Sequence, residues 1–238
     1  MYKNEKDLIT PNENESTSEA FITLYGGSSA IQAAVSNIPL IGATLHTVLS
    51  SKAQAYSENR IMIFLDELHS RLKKLETLEV TDEESCFYLM NRSFEYVVKA
   101  RSEQKIKRFA RLASDYLCNN QNWDEIEVAL TLADELTDTH VEILSYISNI
   151  PESEIETFKG LKAVTVYTEA TLDLPRLESR FEKLSEGALK MYCSSLISKG
   201  LLHDEGIGRF DSKAVEIIVP VPLTNWFLEK IQDMDRAK

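Results

Sequence analysis

Apolar residues that return every third and fourth position constrain this chain more than any other feature. Ile61, Leu65, Leu68, Leu72 and Leu75 are spaced alternately by four and three, and Phe64 widens the stripe. One face of an α-helix repeats at that interval, and a strand does not. The charged side chains Glu58, Asp66, Glu67, Arg71, Lys73 and Lys74 fall mostly off the stripe. The pattern predicts a helix over 56–76. It continues with a helix over 82–100 that buries Cys86, Phe87, Met90, Phe94 and Val97, opened by Thr81 and Glu84 as a capping box. A helix over 103–118 buries Ile106, Phe109, Ala110, Ala113, Tyr116 and Leu117. Another over 122–136, capped at Asn120 or Asn122, buries Ile126, Leu130, Ala133 and Leu136. Only 8 glycines and 6 prolines punctuate 238 residues, too few for a turn-dense all-β protein. The expected fold is mostly α: an antiparallel helical bundle over 20–136, with short connections.

The bundle is preceded by two unlike segments. Residues 1–19 are polar and acidic and read as a disordered tail. They do not have the basic, then apolar, character of a secretory signal. From Ala20 to Ser51 there is no Asp, Glu, Lys or Arg, in a chain that is 27% charged. Small residues dominate, with Gly26-Gly27-Ser28-Ser29 early and Pro39 and Gly42 in the middle. We read a helix over about 29–37, a break at 37–39, and a second helix over about 41–55. Ile31, Val35, Ile38, Leu40, Ile41, Leu45, Val48 and Leu49 are its apolar groups. Each half is shorter than the roughly 20 residues that cross a bilayer. The hairpin either packs among helices or copies of the chain, or inserts conditionally into a membrane.

The last third changes character. Thr137 is placed to cap a helix holding Val141, Leu144, Tyr146 and Ile147, stopped before Pro151. A short β-prone run covers 163–167. Helices follow near 176–184 and over 185–199. His203 to Asp211 reads as a polar turn, and 215–219 as an alternating strand. Thr224 reads as the cap of a final helix with Trp226, Phe227 and Ile231. With Leu196-Ile197-Ser198-Lys199-Gly200-Leu201-Leu202, the glycine-bearing turn and Leu223-Thr224, residues 137–235 resemble a winged-helix domain, which makes 137–238 a winged-helix-like α+β domain. Winged helices bind DNA in many families and dock proteins in many others, so the resemblance leaves function open. The layout of uncharged hairpin, bundle and winged-helix end also resembles small helical accessory or phage-defence proteins of bacteria. That resemblance implies an accessory or effector role against mobile elements.

Charge narrows the partners. The formal net charge is -12, and residues 121–238 carry 12 basic against 22 acidic groups. Such a surface repels phosphate unless a local basic patch intervenes. One candidate exists: Lys99, Arg101, Lys105, Lys107, Arg108 and Arg111, interrupted only by Glu103. On a helix Lys105, Arg108 and Arg111 share one side, suited to nucleic-acid or anionic-lipid phosphates. The alternative is that they meet acidic neighbours of the same chain. The presumed recognition helix is poor for DNA, since its polar face offers Glu186, Lys190, Ser194, Ser198 and Lys199.

No feature equips the chain for catalysis. Cys86, Cys118 and Cys193 lie tens of residues apart, with no zinc spacing and no disulfide framework. His46, His69, His140 and His203 pair with no ligand in a metal pattern, and no nucleophile-elbow or HExxH motif occurs. The glycine-serine run at 26–29 lacks the lysine of a phosphate-binding loop. We therefore expect a cytoplasmic, non-catalytic protein that acts by association, with no cofactor, metal or small-molecule ligand. A protein partner or a second copy comes first. Nucleic acid and membrane are the alternatives.

Overall fold

The computed structural model describes residues 48–72, 83–119, 122–151, 162–167, 174–205 and 213–232. Among them are eight helices and one three-stranded sheet. The chain divides into two compact units between Glu135 and Leu136.

The first unit holds α1 (Val48–Leu72), α2 (Glu83–Val97), α3 (Glu103–Asn119) and α4 (Trp123–Glu135). α3 is the central member, packed against each of the other three. Its buried face is Ile106, Phe109, Ala110, Leu112 and Ala113, while Tyr116 and Leu117 are only half-buried. The Phe109 ring stacks on Tyr96 of α2 at 5.5 Å. Helix direction follows from pairwise contacts. Phe64 of α1 meets Phe94 at 5.6 Å, and the Arg60 guanidinium donates to the Val98 carbonyl at 2.6 Å. Stepping back along α1 thus steps forward along α2. In the same way Tyr116 meets Trp123 at 5.8 Å, while Lys105, a little over ten residues earlier, reaches Asp134. Both pairs run antiparallel. Short polar caps set the starts of α3 and α4: Ser102 Oγ accepts from the Lys105 N–H at 3.1 Å, and Asn122 Oδ1 from the Asp124 N–H at 3.1 Å.

Two expectations change here. The second helix of the uncharged hairpin and the 56–76 helix are one: α1 runs unbroken from Val48. The reason is local, since residues 52–57 contain neither glycine nor proline to end a helix. In α2 the buried side also takes Leu89, Ser93 and Tyr96, whereas Phe87 is half-buried. Thr81 and residues 73–76 lie outside the described residues, as do 1–47.

The second unit holds α5 (Asp138–Ser148), β1 (Val164–Thr165), α6 (Leu177–Arg180), α7 (Glu186–Ser198), β2 (Leu202–Asp204), β3 (Ile217–Pro220) and α8 (Pro222–Ile231). The sheet order is β1-β3-β2, both pairs antiparallel. Val164 lies opposite Ile218, and His203 opposite Val219. On the other side of β1, Thr165 donates its N–H to the Pro175 carbonyl at 2.9 Å, so 174–176 lies along it. α5 packs on α7, β3 and α8. Val141, Ile143, Leu144 and Ile147 of α5 are buried, as are Ile217, Ile218 and Val219 of β3.

The structure corrects several local readings. The turn read at His203–Asp211 begins with strand β2, whose three residues are too few to carry a pattern. The strand read at 215–219 is 217–220, and it does not alternate. As the middle strand under α5 and α8 it buries three consecutive residues. Val215 sits before it with φ of 60°, a backbone that β-branched residues rarely adopt. The helix read at 176–184 is one turn, 177–180, because the chain turns again before the Ser185 cap. Thr137 does hold the cap position before α5, but His140 makes the contact: its Nδ1 accepts from the Thr137 N–H at 3.1 Å. Thr224 is not the first residue of α8. It lies one turn in, its Oγ1 accepts from the Val221 N–H at 3.1 Å, and its hydroxyl donates to the Leu201 carbonyl.

Candidate interaction surfaces

The six basic residues do not form one exposed face. Lys99 and Arg101, in the α2–α3 connection, are exposed. Lys105 turns inward: its ammonium donates to the Asp134 carbonyl in the last turn of α4 and lies 3.9 Å from the Asp134 carboxylate. A cation there offsets the negative end of α4. Lys107 pairs with Glu103 at 2.6 Å. That hydrogen bond raises its pKa, the charges of Glu103 and Glu67 add, and partial burial opposes. Arg108 and Arg111 are half-buried, with Arg108 Nη1 and Arg111 Nε enclosed, and both side chains engage neighbours. The helix side predicted to meet phosphate is therefore largely occupied within the protein. Of the hairpin residues, Ile31, Val35, Ile38, Leu40, Ile41 and Leu45 lie outside the described residues. Val48 and Leu49 begin α1, where only the backbone is described. No helix among the described residues is long and apolar enough to cross a membrane.

Sequence reasoning gave the polar face of α7 as Glu186, Lys190, Ser194, Ser198 and Lys199, and missed Gly187 and Met191. Ser185 opens this helix, its Oγ accepting from the Ala188 N–H at 3.3 Å. Gly200, at φ of 69°, follows its end in the left-handed conformation glycine tolerates. Leu189, Cys193 and Leu196 anchor the inner face. Burial pushes the Cys193 thiol up to about 12. Opposite lie Gly187, Met191, Ser194 and Ser198, all exposed, at spacings of four, three and four. Met191 is 60% exposed, an unusual setting for a large thioether side chain. The row has no charge. Its signal was present in the sequence as Gly-x3-Met-x2-Ser-x3-Ser, but Ser and Gly rarely mark a face.

Beside that row, Lys190 bonds Glu186 and places its ammonium 3.8 Å from the centre of the Tyr167 ring. Glu186 is the main reason its pKa is raised. Tyr167 also forms part of a cavity of about 390 Å³ at the junction of β1, α6 and the start of α7. Of its described lining, Val166, Tyr167 and Leu189 are buried and Leu184 is half-buried. Arg176, Glu178, Glu182 and Glu186 are exposed around it.

Among the described residues, no group of three His, Cys, Asp or Glu side chains could hold a metal ion. No family model, curated protein or solved structure matches the chain.

Proposed function

We propose that this is a non-catalytic interaction protein whose second unit docks a protein partner through the outward face of α7. The order α5, β1, α6, α7, β2, β3, α8 supports a winged-helix arrangement for this unit. So does the sheet order β1-β3-β2, in which β2 and β3 pair antiparallel. In that arrangement α7 takes the place of the recognition helix. The observation that carries the choice of partner is the uncharged row Gly187, Met191, Ser194 and Ser198. A helix entering a DNA groove needs cationic groups toward phosphate and long hydrogen-bonding groups toward base edges. Here Lys190, beside the row, is held by Glu186 and Tyr167. Small residues around one exposed methionine suit close approach of another protein surface.

The first unit would self-associate or pack on a partner. A role as accessory or effector in bacterial defence rests on the layout of the sequence. The reading is tested by anisotropy of a labelled DNA duplex with the full chain, alongside retention of a co-purifying protein by wild type and by Met191→Glu. The expected result is DNA binding no tighter than the ~10⁻⁴–10⁻⁶ M of non-specific association, with the protein lost on Met191→Glu. Tight, salt-steep DNA binding abolished by the same substitution would overturn the reading.

A further inference from the structure

We propose that the cavity between β1, α6 and α7 receives a lysine or arginine side chain from a basic segment of the partner. This inference rests on the protein-docking reading and names the partner's chemistry. The cavity, about 390 Å³, lies in the range of ~300–1,000 Å³ that binds small organic groups. Among the described lining residues, Val166, Tyr167 and Leu189 are buried, and the carboxylates Glu178, Glu182 and Glu186 stand against the guanidinium of Arg176 and the ammonium of Lys190 beside them. A long cationic side chain has that same division: an aliphatic stem that gains from burial and a head that keeps its charge outside. An anionic ligand would meet the carboxylates unfavourably.

A second observation points the same way. The chain already places an ammonium against this wall. Lys190 Nζ sits over the Tyr167 ring at 3.8 Å while bonding Glu186, so an aromatic face and a carboxylate here already act together on a cation. Lys190 engages Tyr167 and Glu186 and leaves Glu182, on the turn between α6 and α7, for a second cation.

The test uses the full chain and a fluorescent octapeptide of alternating glycine and lysine, read by anisotropy at two salt concentrations. An acidic protein attracts cationic peptides through its overall charge, so the comparison is between charge-matched variants. Glu178→Gln with Glu182→Gln removes two cavity carboxylates. Glu127→Gln with Glu142→Gln removes two exposed carboxylates elsewhere. We expect the first pair to weaken binding about three- to tenfold and the second less than about twofold. Equal weakening by both pairs, or absence of peptide binding, overturns the proposal. In either case, persistence of the Met191-dependent protein contact confines the failure to the cavity. Its loss removes the docking reading as well.

Discussion

The hydroxyl of Thr224 gives a sharp prediction because one small group joins three elements. Thr224 is fully buried. Its Oγ1 accepts from the Val221 N–H at the start of α8 and donates to the carbonyl of Leu201, itself buried between α7 and β2. Thr224→Val keeps the size and the β-branch but supplies neither donor nor acceptor. The Leu201 carbonyl then loses its partner in a buried place, at a cost of about 1–3 kcal/mol. The Val221 N–H is half-exposed and water replaces much of what it loses, adding about 0.5–1 kcal/mol. The total is roughly 1.5–4 kcal/mol. Thr224→Ser retains the hydroxyl and loses one methyl group, about 1 kcal/mol. Urea unfolding followed by circular dichroism should therefore rank wild type above Thr224→Ser and Thr224→Ser above Thr224→Val. A valine variant as stable as the serine variant would refute the reasoning, because burial alone favours valine.

Other substitutions probe the first unit and the thiols. Phe109→Ala empties the centre of α3 and removes the stacked contact with Tyr96, for an expected loss of about 3–5 kcal/mol in the same urea assay. Lys105→Met should cost about 1–2 kcal/mol through the Asp134 carbonyl, whereas Lys99→Glu and Arg101→Glu at exposed positions should stay within about 0.5 kcal/mol. Equal effects at all three would contradict the inward placement of Lys105. Cys193, raised by burial from 9.0 to about 12, keeps its proton in the folded chain where the unfolded chain loses it. Its contribution is complete below the unfolded value and is lost as pH rises from 9.0 toward 12. Above pH 9 wild type should therefore lose stability more steeply than Cys193→Ala, by about 1 kcal/mol per pH unit. Parallel curves would count against it.

Long periodic segments were legible because each buries one side against several neighbours. The α3 stripe at 106, 109, 110 and 113 was read directly, and so was the Ser185 start, while Asn122 was one of two residues read as the cap of α4. Short elements were not. β2 has three residues and takes its conformation from β3 rather than from its own pattern. β3 is flanked on both edges and packed by two helices, so alternation is absent where it was expected. The sequence left the basic cluster between phosphate and acidic neighbours of the same chain, because spacing places side chains on a helix but says nothing of what the helix faces. Asp134 is 29 positions from Lys105 and no local rule links them. The α7 face was legible only in part: Ser194 and Ser198 were read as polar surface, and Gly187 and Met191 were not. Serine and glycine are common at both buried and exposed positions, so only the packing of Leu189, Cys193 and Leu196 reveals which side is left outside.

Association through α7 is tested most directly by a photo-cross-linking amino acid placed at position 191. The same group at position 142, exposed on α5, serves as the control, with both full-length proteins irradiated in extract of the source organism. The account predicts one discrete protein adduct from position 191 that is absent from position 142. Adducts to nucleic acid alone, or identical patterns from the two positions, would contradict it.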